Sequence, residues 1–165
     1  MGYNRRLARQ EPLPADQKGG TLFPSQDGEQ RNIVSISSTS GTHGNAGQGN
    51  YAFVKAGVTG LTKTIAKEWG PSFGVRANAI AFGSIKTRLN QAKEDGAFVL
   101  GPGGQKIELG IPTASRRTGE AAFQDIPLRR QGTTHEAAGA ILAICSPLFS
   151  YVTGQTITVA GGRNM

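Results

Sequence analysis

Tyr51 and Lys55 stand four residues apart in the run Tyr51-Ala52-Phe53-Val54-Lys55, and Ser38 lies thirteen positions ahead of the tyrosine. On a helix, residues four apart share a face, so the phenol and the ammonium would project side by side. A free phenol has a pKa near ~10 and is a poor acid–base catalyst at neutral pH. A neighbouring ammonium favours phenolate and lowers that value. Ser38 closes the β-branched run Ile33-Val34-Ser35-Ile36-Ser37, and strand ends are where open α/β sheets place ligands. A serine there could hydrogen-bond a carbonyl oxygen while Tyr51 gives or takes a proton. The chemistry suggested is acid assistance to the reduction of a carbonyl, which also requires a cofactor. A Tyr-x-x-x-Lys pair alone is common by chance. The serine at a strand end and the sequence around the trio set this one apart.

The elements that would position the trio follow from periodicity. Val54, Val58, Leu61, Ile65 and Trp69 recur at spacings of three and four, which predicts a helix over 50–69 with a buried stripe. Strands are expected at 33–38, 75–81 and 155–159, with a glycine loop at 39–49 and a second helix at 134–146. Thr133 and Glu136 make a capping box for that helix. Strands alternating with helices predict an α/β protein with a parallel sheet. A connecting segment is expected over 83–125. Within it, residues 94–120 are rich in glycine and polar residues, including Gly101-Pro102-Gly103-Gly104, a composition that suits a disordered insertion. Residues 1–30 hold Pro12, Pro14 and Pro24 and no apolar run longer than Leu22-Phe23, so they read as a disordered leader ahead of a domain at 31–165.

From about Arg31 to Gly162 the chain resembles the C-terminal half of a short-chain dehydrogenase/reductase. The stretches that carry the resemblance are I-V-S-I-S-S-T-S-G (33–41), G-Q-G-N-Y-A-F-V-K-A-G-V-T-G-L-T-K (47–63), V-R-A-N-A-I-A-F-G-S-I-K-T (75–87) and S-Y-V-T-G-Q-T-I-T-V-A-G-G (150–162). The segment I-P-L-R-R-Q-G-T-T-H-E-A-A (126–138) is most similar to 3-oxoacyl-acyl-carrier-protein reductases. The resemblance implies an NAD(P) cofactor and a small-molecule or acyl-carrier-bound ketone as substrate. It implies Ser38 as the group that polarises the carbonyl and Tyr51 as the proton donor. Lys55 would lower the tyrosine pKa and hold the nicotinamide ribose. Gly83, Ile85 and Thr87 would border the cofactor, with Ile85 and Thr87 near the nicotinamide carboxamide and pyrophosphate. Asn78 would be a structural asparagine beside the sheet. It also implies a mobile lid at about 94–120. Arg129 and Arg130 would lie near the substrate entrance, where they could meet an acidic carrier protein. Phe82-Gly83 departs from the family's Pro-Gly, and a proline there would fix φ in the turn.

The family begins with a strand, a T-G-x-x-x-G-x-G turn and a helix whose N-terminus receives the pyrophosphate. Here only 32 residues precede Ile33, and one βαβ unit needs ~30 or more. The expected fold is therefore a partial Rossmann-like, doubly wound parallel sheet without its N-terminal cofactor-binding units. NAD(P) binding by this chain is expected to be weak or absent. Gly41, Gly44, Gly47 and Gly49 follow a strand and precede a helix, but their spacing is G-x-x-G-x-x-G-x-G, not the G-x-G-x-x-G of a dinucleotide turn. The resemblance places them on the substrate side. The strand at 33–38 would form an open edge, and the 54/58/61/65 stripe would be under-covered. The chain is thus expected to be a homo-oligomer or aggregate, or to join a full-length homologue as a non-enzymatic module.

Composition narrows the remaining classes. Hydrophobic residues are 37% of the 165, lean for a core, and the net charge is +7. No aromatic-interleaved basic patch marks a nucleic-acid partner, so the charge reads as solvated surface. The single cysteine, Cys145, sits in an apolar helical run and is expected to be buried. One cysteine allows no internal disulfide, which fits a cytoplasmic, reducing compartment. Arg5, Arg6 and Arg9 raise a mitochondrial presequence as the alternative, against which Glu11, Pro12, Pro14 and Asp16 weigh. No stretch approaches 18 apolar residues, so no membrane span is expected. No metal site is read from the sequence.

Overall fold

The computed structural model describes residues 30–90, 93, 96–110 and 120–163. The predicted leader and the presequence alternative fall outside the described residues. Among these residues, five strands and three α-helices follow in order: β1 (Arg31–Ser38), α1 (Thr39–His43), α2 (Gly49–Phe73), β2 (Val75–Phe82), β3 (Phe98–Leu100), β4 (Lys106–Glu108), α3 (Thr134–Cys145) and β5 (Thr156–Val159).

β1, β2 and β5 form one parallel sheet in the order β1-β2-β5. The register pairs Ser38 with Phe82 and Phe82 with Val159, so all three carboxyl ends finish at the same level. β2 is the middle strand, and Ala77, Ala79, Ile80 and Ala81 are fully buried. Burial at successive positions means that both faces are covered, as a central parallel strand requires. On one face Ala77 packs with Ile65 and Ala66 of α2, flanked by Ile33 and Trp69. α3 approaches the sheet as well, and the Arg76 guanidinium donates to the carbonyls of Ile144 (3.0 Å) and Val152 (3.1 Å). The first bond sets a cation on the last turn of α3, where orphan carbonyls carry partial negative charge.

α2 runs four residues past its predicted end, through Pro71. The proline sits in the last turn and removes only one helical hydrogen bond. Gly74 then closes the helix in the left-handed conformation (φ 63°), donating to Gly70 O, and Trp69 and Phe73 pack edge to face at 6.4 Å. The buried stripe is also shifted. Thr62, Ile65 and Ala66 are buried, while Val54 and Leu61 are exposed. Thr62 tolerates burial because its hydroxyl donates to Val58 O at 2.8 Å within the helix. The apolar surface of α2 extends further round the helix than one sheet covers.

Three other expectations are corrected. Half of the predicted glycine loop, Thr39–His43, is a short helix capped by Ser38, whose Oγ accepts from Ser40 N. The segment read as a disordered insertion forms a hairpin in its described part, where β3 and β4 pair antiparallel and Gly103 and Gly104 supply positive φ in the turn. Cys145 is exposed, not buried, because Ile144 takes the inward position in the last turn of α3 and the next residue rotates outward.

The capping box at the start of α3 is complete, with Thr133 Oγ1 accepting from Glu136 N and Glu136 accepting from Thr133 N. Arg130 adds a two-pronged ion pair to the same carboxylate. The Arg130 and Thr133 donors lower the Glu136 pKa from the ordinary 4.5 to about 2. A depressed folded value stabilises the fold above the ordinary pKa, and that contribution fades as pH falls through about 2. Carbon-detected NMR titration of the Glu136 carboxyl should show a midpoint well under 4, with amide protection in the first turn of α3 falling in step. A midpoint at the ordinary value would show that the pair does not persist in solution.

Asn78 occupies the kind of place the family resemblance implied. It is buried on β2, its Nδ2 donates to Val152 O (2.8 Å), and its Oδ1 accepts from Gln155 N (3.0 Å). The side chain thereby orients the loop that delivers β5. Asn78→Ala should strand both partners and lower stability by about 2–3 kcal/mol, read as a reduced urea midpoint. An unchanged midpoint would mean that water replaces the amide.

Among the described residues, no helix is long and apolar enough to cross a membrane.

Candidate active site

The aligned carboxyl ends of the sheet open into a cleft of about 550 Å³. Ser38, Tyr51, Gly83, Ile85 and Thr87 all line it. Five of the six predicted site residues therefore meet, although they span nearly fifty positions of sequence. Lys55 is not among the lining residues. Its Nζ donates to Ile36 O at 2.9 Å, on β1, and lies 5.7 Å from the centroid of the Tyr51 ring.

Each side chain is held by a local cause. Ser38 is the last residue of β1 and the N-cap of α1, in extended conformation (φ −152°). Its hydroxyl oxygen accepts from Ser40 N at 3.2 Å and keeps its own hydrogen free to donate. Tyr51 lies in the first turn of α2, 43% exposed. Two contacts bring β1, α1 and α2 together. Ser37 Oγ donates to Lys55 O at 2.8 Å. Gly41 abuts the Lys55 backbone so closely that an added Cβ would come within 2.5 Å of the Lys55 carbonyl carbon. No side chain fits there without driving α1, and the serine that caps it, away from the tyrosine helix.

Sequence reasoning missed several cleft residues. Ser40 Oγ donates to Gln48 Oε1 (2.9 Å), which also accepts from Asn45 Nδ2 (3.1 Å), and all three line the cleft. The turn between α1 and α2 thus presents amides in the same cleft as Tyr51. No short motif marks these residues.

Across the cleft, the loop after β2 passes over the end of β5. Gly83 N donates to Val159 O (3.0 Å), and a Cβ on Gly83 would lie 2.7 Å from Ala160 Cβ. The loop is then fastened to the start of α3. Lys86 N donates to Gly132 O (2.8 Å), Gly132 N to Ser84 O (3.0 Å), and Gln131 Nε2 to Ser84 Oγ (2.8 Å). Phe82, where the family has proline, simply extends β2 and remains in register with both neighbours.

The loop offers a test of the expected nicotinamide. Asn90 Nδ2 donates to Ile85 O, while Asn90 Oδ1 accepts from Thr87 N (2.7 Å) and Thr87 Oγ1 (3.3 Å). Ile85 and Thr87 thus display one acceptor and two donors in the pattern that a primary carboxamide satisfies, and the Asn90 side chain is such a carboxamide. The nicotinamide amide has the same donor and acceptor set, so this end of the cleft fits it. Among the described residues, no group of three His, Cys, Asp or Glu side chains could hold a metal ion.

Arg130, expected near the entrance, is engaged by Glu136, and Arg129 Nη1 donates to Gln124 O. Arg129 adopts positive φ (56°), uncommon for a residue with a side chain.

Comparison with known proteins places this arrangement. A family model described as enoyl-(acyl carrier protein) reductase matches residues 25–164. The 3-oxoacyl-[acyl-carrier-protein] reductase of Thermotoga maritima is 41% identical over 136 residues, covering 81% of this chain and 46% of the relative. The enzyme of the same name from Vibrio cholerae is 38% identical, covering 82% and 47%. An acetoacetyl-CoA reductase of Synechocystis is 40% identical over 134 residues, covering 80% and 46%. A crystal structure of a short chain dehydrogenase from Bacillus anthracis superposes with a TM-score of 0.61 at 30% identity, covering 81% of this chain and 44% of that one. The chain spans less than half the length of the curated relatives it matches. With the parallel sheet, the cleft at its carboxyl end and a family match over most of its residues, the chain belongs to the short-chain dehydrogenase/reductase family.

Proposed function

We propose that these residues form the carbonyl-binding and proton-donating half of an NAD(P)H-dependent reductase acting on a 3-oxoacyl thioester or similar ketone. The observation that supports this best is the meeting of Ser38 and Tyr51 in one cleft, opposite a loop matched to a carboxamide. In this reading the Ser38 hydroxyl donates to the carbonyl oxygen and orients it. Tyr51 gives its proton to that oxygen as negative charge develops. Lys55 keeps a positive charge beside the phenol ring, favouring charge build-up on its oxygen as the proton leaves. Ile85 and Thr87 would hold the nicotinamide amide in exchange for Asn90, and NAD(P)H supplies the hydride when bound. The acyl-carrier substrate class follows the names of the relatives. A cytoplasmic location and a homo-oligomeric state go with this reading.

The test is an assay with NADPH and NADH on a form of the protein joined to a complete cofactor-binding half, offering acetoacetyl and crotonyl thioesters in parallel. Reduction of the ketone is the expected result. Reduction of crotonyl thioester alone would favour the carbon–carbon double-bond chemistry named in the family description. Reduction of neither would overturn the proposal.

A second reading treats the chain as a non-enzymatic module that joins a full-length homologue. Its support is the edge of β1 that pairs with no other described strand, together with the exposed Phe53, Val54 and Leu61 on α2.

A further inference from the structure

We propose that Arg163 is a specificity-determining residue that binds an anionic group carried by the ketone substrate. The inference rests on the reductase reading of the cleft. Among the described residues that line the cleft, Arg163 is the only charged side chain; the rest are hydroxyls, amides, apolar groups and glycine.

Its position is built into the fold. β5 ends at Val159, and the chain reverses in a tight turn in which Arg163 N donates to Ala160 O (3.2 Å). The turn uses two glycines in the left-handed region, Gly161 (φ 64°) and Gly162 (φ 89°). Both press on the segment before α3. A Cβ on Gly161 would lie 2.9 Å from Ile126 Cγ2, and one on Gly162 would lie 2.8 Å from Pro127 Cγ. Leu128 N donates to Gly161 O (3.1 Å), and Ile126 is buried. The turn is thus clamped, and it places Arg163 in the lining of the cleft that holds Ser38 and Tyr51.

The Arg163 guanidinium pairs with Asp125, which does not line the cleft, both side chains being well exposed. Such half-exposed pairs are weak. A guanidinium also has five donors in a rigid fork, and one carboxylate engages two at most. The remaining donors are available to a ligand oxyanion, and a second anion can displace Asp125 at little cost. A planar fork of this kind suits a carboxylate or a phosphate. The anion could be the carboxylate of a free 3-oxo acid or the phosphate of a phosphopantetheine thioester.

Ligand-observed NMR titrations of the chain separate these cases without requiring turnover. Two matched pairs are compared: acetoacetate with methyl acetoacetate, and acetoacetyl-phosphopantetheine with acetoacetyl-pantetheine. The anionic member of at least one pair should bind about five- to tenfold more tightly than its neutral counterpart. The pair that shows the preference identifies the source of the anion. Arg163→Gln should abolish the preference without weakening the neutral ligands, and Asp125→Asn should strengthen it. Equal affinity within both pairs, or a preference that survives Arg163→Gln, would overturn the role of Arg163 and leave the ketone reading intact. Absence of binding by all four would overturn both.

Discussion

Replacing Tyr51 with phenylalanine, in a form of the protein joined to a complete cofactor-binding half, is expected to lower ketone reduction by about 10²–10⁴-fold. That is the range lost when a positioned general acid is removed. The change deletes one oxygen and keeps the ring, so the first turn of α2 and the packing of Lys55 beside that ring should persist. The loss should fall on kcat, because the proton moves in the transition state, while KM for the ketone should change little. Ser38→Ala should lose less, since the amides of the α1–α2 turn still line the cleft. It should also cost some stability, because Ser38 caps α1. Undiminished turnover in the phenylalanine variant would show that the proton comes from another group and would end the assignment of Tyr51.

The second large effect concerns physical state. The chain on its own is expected to self-associate rather than persist as a monomer. Among the described residues, β1 pairs with β2 alone, and Ile36 is 44% exposed along it. An open apolar strand edge is a template for pairing with other chains. α2 adds Phe53, Val54 and Leu61, exposed by 81%, 60% and 52%. Burial is worth about 25 cal/mol per Å² of apolar surface, and domains of this size are stable by only about 5–15 kcal/mol. Covering several hundred Å² in a neighbour is thus comparable to the whole stability of the fold. Sedimentation analysis should show oligomers, and the double change F53K/L61K should move the distribution toward smaller species. A monodisperse monomer with a cooperative melt like that of an intact domain would refute the idea.

Much of the arrangement was legible along the chain. The Ser38 strand, the Tyr51 helix and the capping box are written within a few residues each, in β-branched runs, three-four spacing and the Thr133–Glu136 pair. Such signals survive because they depend on local backbone preference and on neighbours one turn away. The predicted co-location of Ser38, Tyr51, Gly83, Ile85 and Thr87 came from resemblance, since nothing in their spacing forces the end of β2 beside the end of β1.

What the tertiary structure alone decided lies where distant segments touch. The stripe read from spacing named Val54 and Leu61, yet the sheet covers Thr62 and Ala66, because β1 and β2 fix which side of α2 faces inward. Cys145 sits in an apolar run, but the seat against the sheet goes to Ile144. Asn90 meets the Ile85–Thr87 loop, and Arg163 lines the cleft at the end of a turn whose Gly161 and Gly162 pack on Ile126 and Pro127. Residue types and periods along the chain marked the main elements and singled out the trio. Close packing between segments far apart in sequence decided which faces are covered and which charge enters the cleft, since those outcomes depend on contacts that no local pattern encodes.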